Sequence, residues 1–298
     1  MKNLKILWQF SRPHTIIGST LSILSIFAVA VGTSASVFIP PLLLPLSLLS
    51  AITCNIYITG LNQWSDIEVD KINKPWLPIA ASTLSKQNAL LIVWVCGIIS
   101  LAAAAYLSLL FFGLILVIIA IGTAYSLPPL KLKRSHLLAA AAISVVRGLL
   151  VNIGFYLHFR HEIMGEWTLT SAILPLTVFV TAFSLGIAWF KDIPDTEGDA
   201  VYEFGTLAVT SGRQRAFMAG VIVVSFAYVY IIFAAFAGQL PAMLYYMVSH
   251  SMTLILFLSQ SYLLQVANDQ QVKRFYLFFW GLFFLEYLIY PLGFYLPQ

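Results

Sequence analysis

Charged residues make up only 9% of this 298-residue chain, against 60% hydrophobic residues and a mean hydropathy of +0.90. A water-facing surface needs roughly a quarter charged residues, so an ordinary soluble domain is excluded. Cysteine is almost absent as well. Cys54 and Cys96 stand alone inside apolar runs, which excludes a disulfide framework or a zinc spacing and leaves them as packed core thiols. A cleavable leader is not expected. The short basic start from Met1 to Arg12 runs straight into the first apolar stretch without a cleavage site, as in a bacterial-type protein or an already processed organellar one.

What the chain does have is length without charge. Apolar runs of about 20 residues, the thickness of a bilayer core, recur from end to end. Hydropathy and the breakers Pro40, Pro41, Pro128, Pro129 and Pro241 predict nine spans near 14–33, 41–65, 87–107, 109–127, 136–157, 169–191, 215–237, 241–264 and 275–296. The expectation is therefore an all-α, polytopic transmembrane bundle around a central cavity, a single domain over residues 1–298. On this map 14 of the 16 Lys and Arg residues fall on one face: Lys2, Lys5, Arg12, Lys71, Lys74, Lys86, Lys131, Lys133, Arg134, Lys191, Arg213, Arg215, Lys273 and Arg274. By the positive-inside rule that face is cytoplasmic, or its equivalent in an internal membrane. Spans two and six both end in acidic clusters, and spans four and eight are both followed by basic residues. Two four-helix halves plus a terminal helix would produce that echo.

The little acid present is concentrated. Seven of the twelve carboxylates lie in two short stretches, Asn62-Gln-Trp-Ser-Asp66-Ile-Glu68-Val-Asp70-Lys71-Ile-Asn73-Lys74-Pro75 and Lys191-Asp192-Ile-Pro194-Asp195-Thr-Glu197-Gly198-Asp199. A carboxylate beside lipid is costly unless something compensates its charge. Asn62, Asp66 and Asp70 are spaced i, i+4, i+8, and would share one helix face with Asn55. Asp192, Asp195 and Asp199, at i, i+3, i+7, would share another if the helix ran on through Pro194. Oxygen ligands without His or Cys suit Mg²⁺ or Ca²⁺. Two such faces across a bundle would hold two ions and, through them, a diphosphate. A cation-coupled transporter is the rival from another class. Transporter sites lie near the bilayer midplane on broken helices, however, and these carboxylates sit at the membrane boundary.

A diphosphate carries more charge than one metal ion cancels, so basic partners are expected. Candidates are Arg12 at the start of span one, Lys191 beside Asp192, and Tyr125-Ser-Leu-Pro-Pro-Leu-Lys131-Leu-Lys133-Arg134 after span four. Lys131 and Lys133 alternate, so one of the two faces inward. Arg147 lies inside span five, where a bare charge is expensive. It either braces the bundle or touches ligand, and Glu286 in span nine is a candidate partner. His250 is expected to be a hydrogen-bonded interior histidine. The aromatic last span, including Phe279, Trp280, Phe283 and Tyr287, can pack against lipid, anchor at the interface or line an inner wall.

Asn62-x-x-x-Asp66-x-x-x-Asp70, Tyr125-Ser-x-Pro-Pro-x-Lys131-x-Lys133-Arg134 and Lys191-Asp192-x-x-Asp195-x-x-Gly198-Asp199 resemble the signature motifs of UbiA-type intramembrane prenyltransferases. Phe10-Ser-Arg12-Pro-His14-Thr-Ile-Ile-Gly18, Asn73-Lys-Pro-Trp-Leu-Pro78 and Phe283-Phe-Leu-Glu286-Tyr287-Leu-Ile-Tyr290-Pro291 look like the homogentisate branch, which serves tocopherol and plastoquinone synthesis. The resemblance implies Mg²⁺-dependent transfer of a prenyl group from its diphosphate to an aromatic ring, with loss of the homogentisate carboxylate. It implies catalytic and metal-binding roles for Asp66, Asp70, Asp192, Asp195 and Asp199, with Asn62 assisting. It also implies substrate contacts from Arg12, Tyr125, Lys131, Lys133, Arg134, Lys191 and Arg147. Phe190-Lys191-Asp192-Ile-Pro194-Asp195 and Phe155-Tyr156-Leu157-His158 look like the phytyl-transferring members, whereas Pro78-Ile-Ala-Ala81 leans towards the solanesyl ones. Trp64, Trp76 and the glycine-free Ala80-Ala-Ser82-Thr depart from the pattern, and Lys131 replaces a frequent arginine. The implied partners are a prenyl diphosphate, a small aromatic substrate and membrane lipid, with no nucleic acid. Soluble prenyl diphosphate synthases share aspartate-rich helices but not this hydropathy.

Overall fold

The computed structural model describes residues 2–34 and 38–297; Met1, residues 35–37, Gln298 and the side chains of Lys2 and Asn3 lie outside the description, and with them the basic group expected at Lys2. Among the described residues the regular structure is helical, apart from one isolated bridge between Ser135 and Gly205. The helices are α1 (Lys2–Phe10), α2 (Pro13–Gly32), α3 (Leu43–Ser65), α4 (Ile67–Asn73), α5 (Lys86–Leu107), α6 (Leu109–Ser126), α7 (His136–Ser144), α8 (Phe155–Met164), α9 (Leu174–Asp192), α10 (Thr196–Val201), α11 (Leu207–Ser211), α12 (Arg213–Phe236), α13 (Met243–Leu263) and α14 (Asp269–Leu292). A π-helical stretch, Val145–Gly154, joins α7 to α8, so that one continuous helix runs from His136 to Met164.

Local chemistry sets the ends. Pro13 opens α2, where its missing N–H costs nothing. Ser85 and Ser108 cap α5 and α6 by accepting from the N–H groups of Asn88 and Phe111. Asn268 accepts from Gln270 and Gln271, so α14 begins at Asp269 rather than at the predicted 275. The polar turn Asp269–Arg274 extends the helix beyond its apolar part.

Eight described helices are long and apolar enough to cross a membrane. The eighth predicted span, α13, forms over 21 residues but falls outside that set, because Ser249, His250, Ser251, Ser259, Gln260 and Ser261 dilute its hydropathy. The most extensive helix pairs are α3 with α5 and α9 with α12. Small residues let backbones approach: a Cβ on Gly122 would meet Ile58 at 2.5 Å, and one on Gly220 would meet Phe190 at 2.3 Å. α9 is the most buried span, and α14 packs on α2, α9 and α13, bringing the chain's last helix back against its first span. Large apolar side chains such as Leu109, Ile222, Phe226, Phe233 and Leu244 face outward, as a lipid-facing surface requires.

Candidate active site

Both acidic stretches break their helices, so neither presents the single straight face expected from its spacing. α3 ends at Ser65, and Asp66, at φ −113° and ψ 20°, turns the chain into α4. α9 ends at Asp192, and α10 restarts only at Thr196, after Pro194 has removed a backbone donor. The breaks put the carboxylates on short helices that pack together, α4 against α10. Asn73 ties the two: its Oδ1 accepts from the Gly198 N–H at 3.0 Å and its Nδ2 donates to Asp199 Oδ1 at 3.2 Å.

The aspartates surround an outer chamber of about 500 Å³. Its lining contains five carboxylates (Asp66, Asp70, Asp192, Asp195, Asp199) and five basic residues (Arg12, Lys74, Lys133, Lys191, Lys273). Most aspartates lean on a polar neighbour. Lys133 Nζ lies 2.6 Å from Asp66 and donates to Ser65 Oγ at 2.6 Å. Lys74 pairs with Asp195 and Lys191 with Asp192, and Lys191 donates to the Tyr125 hydroxyl at 3.0 Å. Asp70 makes no side-chain hydrogen bond or ion pair among the described residues. Burial pushes its carboxyl up to about 6, with Arg12 and Lys74 opposing the rise. Burial, reinforced by the charges of Asp192 and Asp195, pushes Asp199 up to about 7. Burial also pulls Lys133 down to about 8, although Asp66 stands against it. Such displaced values mark a chamber holding more carboxylate than its surroundings solvate.

An inner chamber of about 250 Å³ continues into the bundle between α2, α3, α6, the π stretch and α14. Arg12, His14, Asn62, Tyr125, Lys191 and Tyr276 line both chambers and form the neck between them. Asn55, on the expected stripe, lies in the inner chamber, held by Thr15 and Ser19. Trp280, Phe283 and Tyr287 line it too, so part of the aromatic last span faces inward.

Of the residues singled out from sequence, Asn62, Arg12, Tyr125, Lys133, Lys191 and the five aspartates meet at the outer chamber. Arg147 reaches only the inner one. Lys131 and Arg134 line neither. Lys131 has φ 39° and its ammonium lies 5.4 Å from the Phe204 ring, while the Arg134 carbonyl accepts from the Gly205 N–H at 2.9 Å. The inward lysine of the alternating pair is Lys133. Glu286 does not pair with Arg147. It meets His250 Nε2 at 3.1 Å, and both are buried, which makes His250 the expected interior histidine. Lys74, Asn73, Lys273, His14 and Tyr276 were missed. Lys74 carried a signal, standing four residues after Asp70 on the same helix face.

The donors here are all oxygens of Asp and Asn, the set a hard divalent cation takes. Among the described residues no three carboxylates already form a cage. Lysines hold individual aspartates instead, and such pairs can exchange when a more highly charged cation arrives.

This geometry has relatives. The profile of the UbiA prenyltransferase family matches residues 22–283. The chain belongs to the UbiA prenyltransferase family. The homogentisate phytyltransferase of Synechocystis sp. is 39% identical over 302 residues, covering 100% of this chain and 98% of the relative. The chloroplastic homogentisate solanesyltransferase of Arabidopsis thaliana is 37% identical, covering 95% and 75%. A UbiA homolog from Archaeoglobus fulgidus, solved bound to GPP and Mg²⁺, is 15% identical and superposes with a TM-score of 0.67 over 96% of this chain and 99% of its own. At that identity the superposition shows a shared UbiA fold.

Proposed function

We propose that this UbiA-family enzyme transfers a prenyl group from its diphosphate to homogentisate, with loss of carbon dioxide, in prenylquinone synthesis. The observation that carries the reading is the pair of joined chambers, one charged and one apolar. The donor's diphosphate belongs among the basic residues of the outer chamber, and the reacting carbon and ring belong at the neck. Full-length similarity to homogentisate prenyltransferases supports the acceptor.

Arg12, Lys74, Lys133, Lys191 and Lys273 provide charge for the departing diphosphate, and the Tyr125 hydroxyl orients Lys191. As the donor C–O bond breaks, its electron pair leaves with the diphosphate. A pair of electrons from the ring forms the new C–C bond, the ring carbon loses its proton, and the CH₂–CO₂⁻ bond releases CO₂ as the methyl carbon gains one. Aromatic faces from Tyr276, Trp280, Phe283 and Tyr287 shield the cationic carbon from water. Asn62, Asp66, Asp70, Asp192, Asp195 and Asp199 would hold Mg²⁺, which supplies further positive charge to the diphosphate oxygens. Charge balance favours two ions: the chamber's five acids face five bases, and two divalent cations offset one diphosphate.

The finer architecture belongs to the same reading. It has nine spans, α13 among them, in two four-helix halves plus α14. The N-terminus and both acidic stretches sit on the cytoplasmic-equivalent face of a bacterial or thylakoid-type membrane. Lipid surrounds the bundle. Phytyl diphosphate is the first-choice donor, with solanesyl and geranylgeranyl diphosphates as alternatives.

Membranes carrying the protein, incubated with carboxyl-labelled homogentisate, Mg²⁺ and each donor separately, test the reading. Labelled CO₂ should appear only with prenylated product, and the fastest donor identifies the branch. Turnover of 4-hydroxybenzoate with homogentisate inert would overturn the acceptor. Substrate-driven ion flux without covalent product would overturn the enzyme.

A further inference from the structure

Arg147 is the one basic residue facing the inner chamber beyond the neck, and it has no carboxylate partner among the described residues. Its guanidinium lies 5.0 Å from the Trp280 ring centroid and 5.7 Å from that of Phe283, and its side chain makes no hydrogen bond there. Trp280 and Tyr287 line the same chamber. A guanidinium with no carboxylate beside it in an apolar cavity carries a large desolvation cost unless a ligand meets it.

The backbone is built to hold Arg147 still. It sits in the π stretch, a local departure from α-helix that often accompanies function. Asn152, fully buried, donates to the carbonyls of Arg147 and Gly148 at 2.9 and 2.7 Å. A Cβ on Gly148 would lie 2.7 Å from the Thr181 Cα, so this turn is pressed directly against α9.

An unpaired cation beside the carbon that becomes cationic would raise the barrier to the reaction the chamber serves. A neutralising anion is needed, one small enough to pass with an aromatic ring. Trp280 packs edge-to-face with His14 at the neck, ring centroids 5.0 Å apart, and the same indole meets Arg147.

We infer that Arg147 receives the carboxylate of the aromatic acceptor. The inference rests on the proposed reaction and adds the acceptor's subsite to it. The subsite takes a monoanionic aromatic acid and directs its ring back towards the neck.

The test measures binding of homogentisate and of its methyl ester to the purified protein in nanodiscs, for the unaltered chain, Arg147→Lys and Arg147→Gln. A charge-assisted pair is worth on the order of tenfold to a hundredfold in affinity. The acid should therefore bind that much better than the ester to the unaltered chain, keep part of its advantage in R147K and lose it in R147Q. An unchanged acid-over-ester ratio in R147Q would overturn the subsite. In a second readout that needs no variant, homogentisate but not its ester should protect Arg147 from modification by phenylglyoxal; equal protection would overturn it too. A chain that prefers a different aromatic acid over its ester, through Arg147, would overturn homogentisate and uphold the arginine. No preference for any acid would overturn both.

Discussion

Carboxylates are buried in two regions of this bundle, and the two are treated differently. Glu286 is sealed between α13 and α14 against one partner, His250, whose other nitrogen donates to the Tyr246 carbonyl at 2.9 Å. Phe179, Tyr228 and Tyr246 surround His250, and neither member of the pair lines either chamber. Asp66, Asp192 and Asp195 of the outer chamber lean on lysines along a cavity wall, so each can exchange partners. A closed pair does the work of architecture, and an exchangeable one does the work of a site.

The strongest way to break that comparison is charge deletion without a change of size. Asp66→Asn and Asp195→Asn should each lower prenyl transfer about 1,000-fold, the order expected when charge stabilisation is lost, while the thermal midpoint in detergent holds. Near-normal Mg²⁺-dependent turnover in either variant would place the site elsewhere. Glu286→Ala should do the reverse. It leaves His250 without its partner and should cost about 3–5 kcal/mol of stability, while the folded fraction keeps its kcat.

Smaller in effect, pH sharpens the contrast. Asp70 and Asp199 have values raised to about 6 and about 7 by burial, so the folded chain binds more protons than the unfolded one between the ordinary carboxylate range and pH 7. Stability of the metal-free protein should therefore fall as pH rises from 5 to 8. Mg²⁺ competes with those protons, so its affinity should rise over the same interval, by about tenfold or more, and restore the lost stability. Thermal scans with and without Mg²⁺ at several pH values would show this; flat curves would refute it. Least of all, Lys131→Ala should change turnover by less than about threefold, because its ammonium lies outside both chambers, whereas Lys133→Ala should cost tenfold or more through loss of a buried charge-assisted pair.

Much of this was legible beforehand because hydropathy and carboxylate scarcity are one-dimensional signals. The apolar runs located the long helices, and two acid clusters in an oil-soluble chain located the outer chamber. The break at Asp66 escaped, since spacing arithmetic assumes that a helix continues, whereas Pro194 marked the second stretch as a place where it need not. Lys133 could not be separated from Lys131, because the answer depended on a left-handed residue at 131 that only the folded turn displays. Glu286 found His250 rather than Arg147 because α13 packs beside α14, a neighbourhood set by tertiary packing. Lys74 and Lys273 looked like topology markers, which they resemble in every membrane protein.

Asn73 carries one last consequence. A single primary amide, using both of its ends, joins segments 125 residues apart in sequence, and glycine at 198 leaves room for it, since any Cβ there would fall 2.3 Å from the Asn73 oxygen and push the amide aside. The first and second acidic motifs are thereby tied together before any ligand arrives. Substrate affinity is not consumed in assembling them. Changes at 73 and 198 should therefore be read through one another, each masking the effect of the other.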